Sequence, residues 1–349
     1  MLGAASLILF VTTLLGCAGT PTHYGRRCVS SDLESRSCYA LGPAPGPCQV
    51  CLPPGVNFED GVSEDEAVVI ALWNNAAYQE LLAELGITEA DIIEAAQLTN
   101  PRLWSVFPVG VKQFEFTLYV PLEAIWLRPR RLAAAKLKSH QTANQLVQDG
   151  LDLIRDVRVA YADLQLAQDQ LETAKEGVGL NGRIAELALA RVRAGSASEL
   201  DASTAHIDQL RQMQKAAALE HEVELARQHL RDLLGIESSE IWVDPIESAA
   251  PGELFDDVEA LVEQAWAVRP DLQAAESAYE AALERVEVAR RNVFQISAIL
   301  PDANSRGKKG FEAGPGLDFT IPIFHQNQGA IARAGAEVEK ADRHYTTLR

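Results

Sequence analysis

Basic residues are scarce in this chain, cysteine is absent beyond residue 51, and no long apolar run follows the first few residues. Each shortage excludes something. Thirty-one Lys and Arg stand against 49 Asp and Glu, a formal net charge of −18, which argues against nucleic acid and against an anionic membrane surface as partners. With no second long apolar run, membrane contact is not made through spanning helices. The seven histidines are scattered. "HEVEL" (221–225) carries Leu225 where a zinc-protease helix needs its second histidine, and His221 and His229 read as a solvated face. "GPGLDF" lacks the strand-to-helix switch of a phosphate loop. No serine elbow or paired-carboxylate pocket is discernible, so neither catalytic residue nor metal site nor cofactor is expected, and the chain reads as a non-enzyme.

What is present begins with "MLGAASLILFVTTLLGC", an apolar stretch too short to span a bilayer, with small residues ahead of Cys17. It resembles a bacterial lipoprotein signal: residues 1–16 would be removed and Cys17 lipidated. Ala18 after that cysteine suits sorting to the outer membrane in the lipoprotein scheme. No Lys or Arg precedes the apolar run, so the true start is expected further upstream. Residues 17–62 form a Cys/Pro-rich segment that reads as loop. Cys28, Cys38, Cys48 and Cys51 fall within 24 residues of it. Cys48 and Cys51 have the spacing of half a zinc site. In an exported chain two disulfides are the stronger expectation, with three pairings open.

From Leu151 to about Leu234 the apolar spacing is near-heptad. Ile154, Val157, Tyr161, Leu164 and Leu171 form one seam, and Leu219, Val223, Ala226, Leu230 and Leu233 the other. "ARVRAGSASELD" interrupts them at Gly195, so a helical hairpin is predicted, each arm roughly 50 residues and about 75 Å long. A further helix carries Leu272, Ala275, Tyr279, Ala282, Val286, Ala289 and Val293 at the same rhythm. Its alanines suit helices packed closely side by side.

The chain also says the same thing twice. Residues 71–103 overlay 265–297, and "FEFTLYVPL" (114–122) answers "LDFTIPIF" (317–324), Pro121 over Pro322. The repeat unit is helix, strand, loop, strand, proline, helix, with residues 63–250 as the first copy and 251–349 as an incomplete second. "DANSRGKKG" reads as a longer loop in the second copy. Two copies predict four strands of roughly ten residues, apolar on one face and polar or mixed on the other. Alternation is imperfect in the leading strands "RLWSVFPV" and "QISAIL". That pattern fits part of a membrane barrel with lipid outside and water within. Open edges in lipid cost several kcal/mol per unpaired group, so closure must come from further copies of the chain. Soluble hairpins packed on helices are the competing reading.

These features together resemble the TolC-like outer-membrane efflux family, the exit ducts of tripartite pumps. The resemblance runs from about Ser63 to Arg349. It rests on the duplication, on "RPDLQAAESAYEAALERVEVAR", on "ARVRAGSASELDASTAHIDQL" followed by "RDLLG", and on "GPGLDFTIPIF" running into "QNQGAIARA". It implies a mainly α fold with a membrane β-barrel portion. Long antiparallel hairpins would form an α-barrel, and four strands per protomer would join a twelve-stranded barrel in a homotrimer. It implies a lipid-anchored protein of the outer membrane reaching into the periplasm, with a periplasmic adaptor and an inner-membrane pump as partners. Phe114, Phe116, Leu118, Val120, Leu317, Phe319 and Ile321 would face lipid. Glu115, Thr117, Asp318 and Thr320 would face the lumen, and Pro121 and Pro322 would mark strand-to-helix junctions. Gly195, Ser196 and Ala197 would be tip contacts to the adaptor, and Asp201 would belong to the bonding that closes the tip. The plainer reading makes Gly195 a turn and Asp201 a helix cap. Gln295 replaces the proline that commonly opens the third strand. The chain stops early in the second hairpin, roughly eighty to a hundred residues short of the first copy's length, which suggests a fragment or a degenerate member. The rival readings are a periplasmic adaptor and a structural coiled-coil lipoprotein without a channel.

Overall fold

The computed structural model describes residues 24–43, 50–56, 58, 61–107, 115–236, 243–246, 257–305 and 311–349. In chain order the elements are α1 (Arg26–Ser37), α2 (Glu64–Asn74), α3 (Ala76–Ala96), β1 (Arg102–Val106), β2 (Glu115–Pro121), α4 (Glu123–Arg193) and α5 (Glu199–Leu234). There follow α6 (Val258–Val268), α7 (Pro270–Arg291), β3 (Ile296–Ser305), β4 (Phe311–Phe319) and α8 (Gln328–Leu348). The chain divides into two compact units that do not follow the repeat. One gathers Met1–Val29, Ala83–Gln148 and Asp257–Arg349; the other gathers Ser30–Leu82 and Asp149–Asp256.

The first unit holds the sheet and the helix segments that adjoin it. All four strands pair antiparallel in the order β1-β2-β3-β4. α7 is buried on more than one seam. Leu272, Ala275 and Ala282 lie inside as their rhythm predicts, but Ala274, Ser277 and Ala281 are buried as well. The reason is that α7 has a helix on each side. Toward α4, Arg130 pairs with Glu284 at 2.8 Å and His140 Nδ1 lies 2.8 Å from Ser277 Oγ. Toward α8, Asn327 Nδ2 donates to the Ala289 carbonyl at 2.8 Å. A helix flanked twice needs small residues on two stripes, because bulk on either would hold the axes apart.

The second unit is built on α2, the Gly195 hairpin and extended segments. α2 starts with a capping box in which Ser63 and Glu66 satisfy each other's amides. Val62 and Pro245 form a parallel bridge, and the buried Tyr161 hydroxyl lies 2.9 Å from the Val62 carbonyl and 2.7 Å from that of Ile246. Most of both predicted hairpin seams is inside, Ile154, Val157, Tyr161 and Leu164 on α4 and Leu219, Val223 and Leu230 on α5, while Leu171, Ala226 and Leu233 are half-buried. Two arginines share the second seam. Arg227 is buried between Glu224 (2.7 Å) and Asp244 (3.2 Å), and Arg231 is buried one turn on.

Four expectations need correction. The arms are unequal, 71 residues in α4 and 36 in α5. α4 begins well before the heptad seam does, and α5 is stopped by Gly235 in the left-handed conformation. The Cys/Pro-rich segment is not all loop, since α1 forms there and buries Val29 and Leu33, one helical turn apart. The two-disulfide framework is not formed. Cys28, Cys38 and Cys51 are free thiols, and Cys48 lies outside the described residues. Cys28 sits in the first turn of α1 and Cys38 just past its end, about 15 Å apart at 1.5 Å per residue. A disulfide tolerates about 7 Å between Cα atoms. Finally, "DANS" (302–305) is strand rather than loop, as β3 runs to Ser305.

Candidate functional site

The sheet sorts its side chains by register. Directly paired residues share a face. One row joins Leu103 with Leu118, a second Val120, Ala298 and Leu317, a third Ile296 and Phe319, and Phe116 alternates onto the same side opposite Ser105. All of these but Ser105 are apolar. Leu103, Leu317 and Phe319 stand 64%, 67% and 61% exposed. The opposite face carries Arg102, Trp104, Val106, Thr117, Tyr119, Pro121, Ser297, Ile299 and Asp318, polar but for Trp104, Val106, Pro121 and Ile299. Moving a Leu or Phe of the first face from water into hydrocarbon gains roughly 1.5–3 kcal/mol each. Moving the second face would forfeit its hydration. The sheet is therefore suited to a boundary, apolar medium on one side and water on the other.

A bulge is what keeps the faces clean. Ile299 pairs with Tyr119 and Gly316, and Asp302 pairs with Thr117 and Gly314, so β3 spends one residue more than its neighbours between those rows. Leu300-Pro301 occupies the interval. Pro301 has no N–H to give a central strand, and a bulge is where a sheet tolerates that. The imperfect alternation of "QISAIL" has its cause here.

Most strand residues singled out by sequence fall on these two faces. Phe116, Leu118, Val120, Leu317 and Phe319 share the apolar one, Thr117 and Asp318 the polar one, where Thr117 is buried among its neighbours. Glu115 pairs with Val106 and Asn304 in backbone register. Phe114 lies outside the described residues, as does Cys17. Thr320 continues the ladder beyond β4, its amide bonding the Gln295 carbonyl at 3.1 Å, so Gln295 begins the third strand's pairing without a proline. Ile321 is exposed past the strand end. The prolines are not equivalent. Pro121 closes β2 two residues before α4, level with Ser297 and hence with Asp318. Pro322 lies three residues beyond β4, in a three-residue turn closed by the Ile323 amide on the Ile321 carbonyl at 2.9 Å.

At the foot of the polar face is a recess of about 330 Å³ lined by Arg102, Tyr119, Glu123, Ser297 and Asp318. Glu123 also receives the Ile296 amide at 3.2 Å, which ties the start of α4 to the start of β3. Among the described residues, no group of three or more His, Cys, Asp and Glu is placed to hold a metal ion, and no helix is long and apolar enough to cross a membrane.

The hairpin tip is built from two capping motifs back to back. Gly195 adopts φ +72°, and the amides of Gly195 and Ser196 return to the carbonyls of Val192 and Arg191, both at 2.9 Å. This is a Schellman closure of α4. Ser198 then opens α5, its hydroxyl receiving the Asp201 amide and its amide donating to the Asp201 carboxylate, each at 3.2 Å. Those bonds from the Ser198 hydroxyl and amide hold the Asp201 carboxyl below the ordinary carboxylate range. Gly195, Ser196 and Asp201 thus form one turn, with Ala197 half-buried between them and Leu200 exposed beside it.

Residues 94–236 match the family described as outer membrane efflux protein. The chain is 25% identical over 300 residues to the cobalt-zinc-cadmium resistance protein CzcC of Cupriavidus metallidurans, covering 82% of this chain and 69% of that protein. Its fold is similar to the outer-membrane channel OprN, with a TM-score of 0.66, 20% identity, and 82% and 70% of the two chains covered. It is likewise similar to the outer membrane protein VceC of Vibrio cholerae, with a TM-score of 0.63, 16% identity, and 82% and 75% covered. Over residues 94–236 the chain is thus similar to the outer membrane efflux protein family, and its fold is similar to those of solved outer-membrane channels.

Proposed function

We propose that this protein is a subunit of an outer-membrane exit duct, a passive channel for efflux or secretion. The observation that carries the reading is the sheet: one face apolar but for Ser105, with Leu103, Leu317 and Phe319 exposed, the other mainly polar, and both outer edges unpaired among the described residues. A sheet with open edges is costly in lipid because each unpaired amide or carbonyl loses several kcal/mol there. Pairing the free edge of β1 with that of β4 on another copy removes the cost, and three copies make a barrel of twelve strands. Phe114, Phe116, Leu118, Val120, Leu317, Phe319 and Ile321 then meet lipid, while Glu115, Thr117, Asp318 and Thr320 line the water. The hairpin enters the periplasm, where Gly195, Ser196 and Ala197 meet an adaptor and Asp201 stiffens the tip. Cys17 carries the lipid anchor. The energy for transport comes from an inner-membrane pump, which also sets the cargo.

The test is the native mass of the full chain extracted from outer membranes in mild detergent, joined with single cysteines placed on the two edges. Leu103→Cys and Leu317→Cys in one chain are expected to cross-link between copies, in a trimer, and to leave no monomer band after oxidation. A monomer in detergent, with no cross-linked species, refutes the closed-barrel reading.

A further inference from the structure

One recess in the first compact unit has a charge at odds with the rest of the chain. It is about 800 Å³ and opens among α3, α4, α7 and α8. Four cations line it, Arg131, Lys138, Arg285 and Arg333, against two carboxylates, Asp91 and Glu337. The chain as a whole carries a formal −18. Arg285 and Glu337 face each other at 3.8 Å, which offsets one cation and leaves three against Asp91.

The three are weakly engaged. Arg131 gives one terminal nitrogen to the Gln97 carbonyl at 3.3 Å, while its Nε is buried with no hydrogen-bond acceptor among the described residues. Lys138 reaches only the neutral Gln141 side chain, at 3.3 Å. Arg333 is exposed and has no carboxylate within ion-pair reach among the described residues. The start of α8 lines the same recess through Gly329 and Ala330. That 21-residue helix has no side-chain cap and no acidic residue in its first turn, and Asn327 turns its amide away to the Ala289 carbonyl. First-turn amides and the positive end of the helix dipole therefore add to the guanidinium field. An ammonium and two guanidinium groups around uncapped amides match a tetrahedral oxyanion, which accepts several charge-assisted bonds at once.

We propose that this recess binds a phosphate-type anion. The inference does not depend on the chain forming a channel, because every group invoked lies within one compact unit of one copy. Two sources supply this chemistry: the headgroup of a phospholipid or a free phosphate. Arg131 lies eight residues into α4, the helix that follows β2, and Arg333 five residues into α8, the helix that follows β4, on the side of the sheet where lipid headgroups would stand if it were membrane-embedded.

The experiment uses the full chain in a neutral, phosphate-free detergent, with inorganic phosphate titrated calorimetrically in one arm. In the other arm, phosphatidylglycerol retained after mixed-micelle exchange is counted by native mass spectrometry. Binding is expected in at least one arm, weakened tenfold or more by Arg131→Gln with Arg333→Gln. Arg343→Gln, on the same helix but paired with Glu339 outside the recess, should leave it unchanged. Arg333→Gln alone guards against misfolding, because that side chain is exposed. Retained lipid without phosphate binding assigns the headgroup, and phosphate binding without lipid assigns the free anion. No binding in either arm at millimolar ligand, or equal binding by wild type and the Arg333→Gln variant, overturns the proposal.

Discussion

Two glycines end the two arms of the hairpin with the same backbone geometry, and replacing each by alanine separates conformation from packing. Gly195 has φ +72° and Gly235 φ +69°, and each closes a Schellman motif. An alanine at either pays about 1–2 kcal/mol for the left-handed conformation. At Gly195 a Cβ would meet nothing within 4 Å, so the penalty stops there. At Gly235 it would lie 2.7 Å from the Asn74 carbonyl carbon, 3.1 Å from the Asn75 nitrogen, and closer still to the Asn74 oxygen. Those are backbone atoms and do not swing aside. They sit where α2 passes into α3, held by Asn75 donating to the Leu233 carbonyl at 2.9 Å and by Asn74 bonding the Cys51 backbone at 2.6 and 2.9 Å. Forcing that junction apart adds about 1–3 kcal/mol of overpacking and about 1 kcal/mol for the Asn75 bond. Gly235→Ala is thus expected to cost about 2–4 kcal/mol more than Gly195→Ala. Amide hydrogen exchange over the last two turns of α5 reads this locally. At 1.4 kcal/mol per decade the difference is roughly 30- to 700-fold faster exchange in the Gly235 variant. Equal protection in the two variants would refute the reasoning, as would Gly235→Ala within about 1 kcal/mol of wild type.

The tip should respond to acid through one carboxyl. Asp201 is held below its ordinary pKa by the Ser198 hydroxyl and amide, so its contribution is fully present above the unfolded value of about 3.9 and is lost as pH falls through the lower folded value. Following the carboxyl carbon by NMR should show that low midpoint. Asp201→Asn should remove the pH dependence of exchange at the start of α5, whereas a midpoint at or above the ordinary value defeats the capping account. On the sheet, Leu317→Arg and Asp318→Arg place the same charge on opposite faces. Arginine on a lipid face costs roughly 2–4 kcal/mol at mid-membrane and less toward the interface. Folding yield into vesicles, read by unheated gel mobility, should fall for Leu317→Arg and hold for Asp318→Arg. Equal yields would refute the assignment of faces.

Local periodicity by itself determined a good part of this protein. A period of two marked Phe116, Leu118 and Val120 against Thr117 and Tyr119, and a near-heptad step marked Val157, Tyr161, Leu164 and Leu230 as interior. Gly195 in a polar break marked the turn. The duplicated unit predicted two pairs of strands, and the sheet has four. Such signals survive in sequence because adjacent residues must satisfy one solvent boundary whatever lies across from them. Tertiary structure alone decided the rest. Pro301 can stand in a central strand only because both neighbours accommodate the bulge, and Pro322 falls three residues past β4 although it echoes Pro121 in the repeat. Arg227 and Arg231 lie in an apolar seam, which for Arg227 is made possible by Asp244, brought from beyond the end of the helix. The hairpin arms differ in length because Gly235 ends α5 against Asn74, a residue more than 150 positions earlier. The cationic recess is likewise assembled from four helices, each unremarkable in sequence. In each of these cases the deciding partner is distant along the chain, and a local pattern carries no information about a neighbour that only folding supplies.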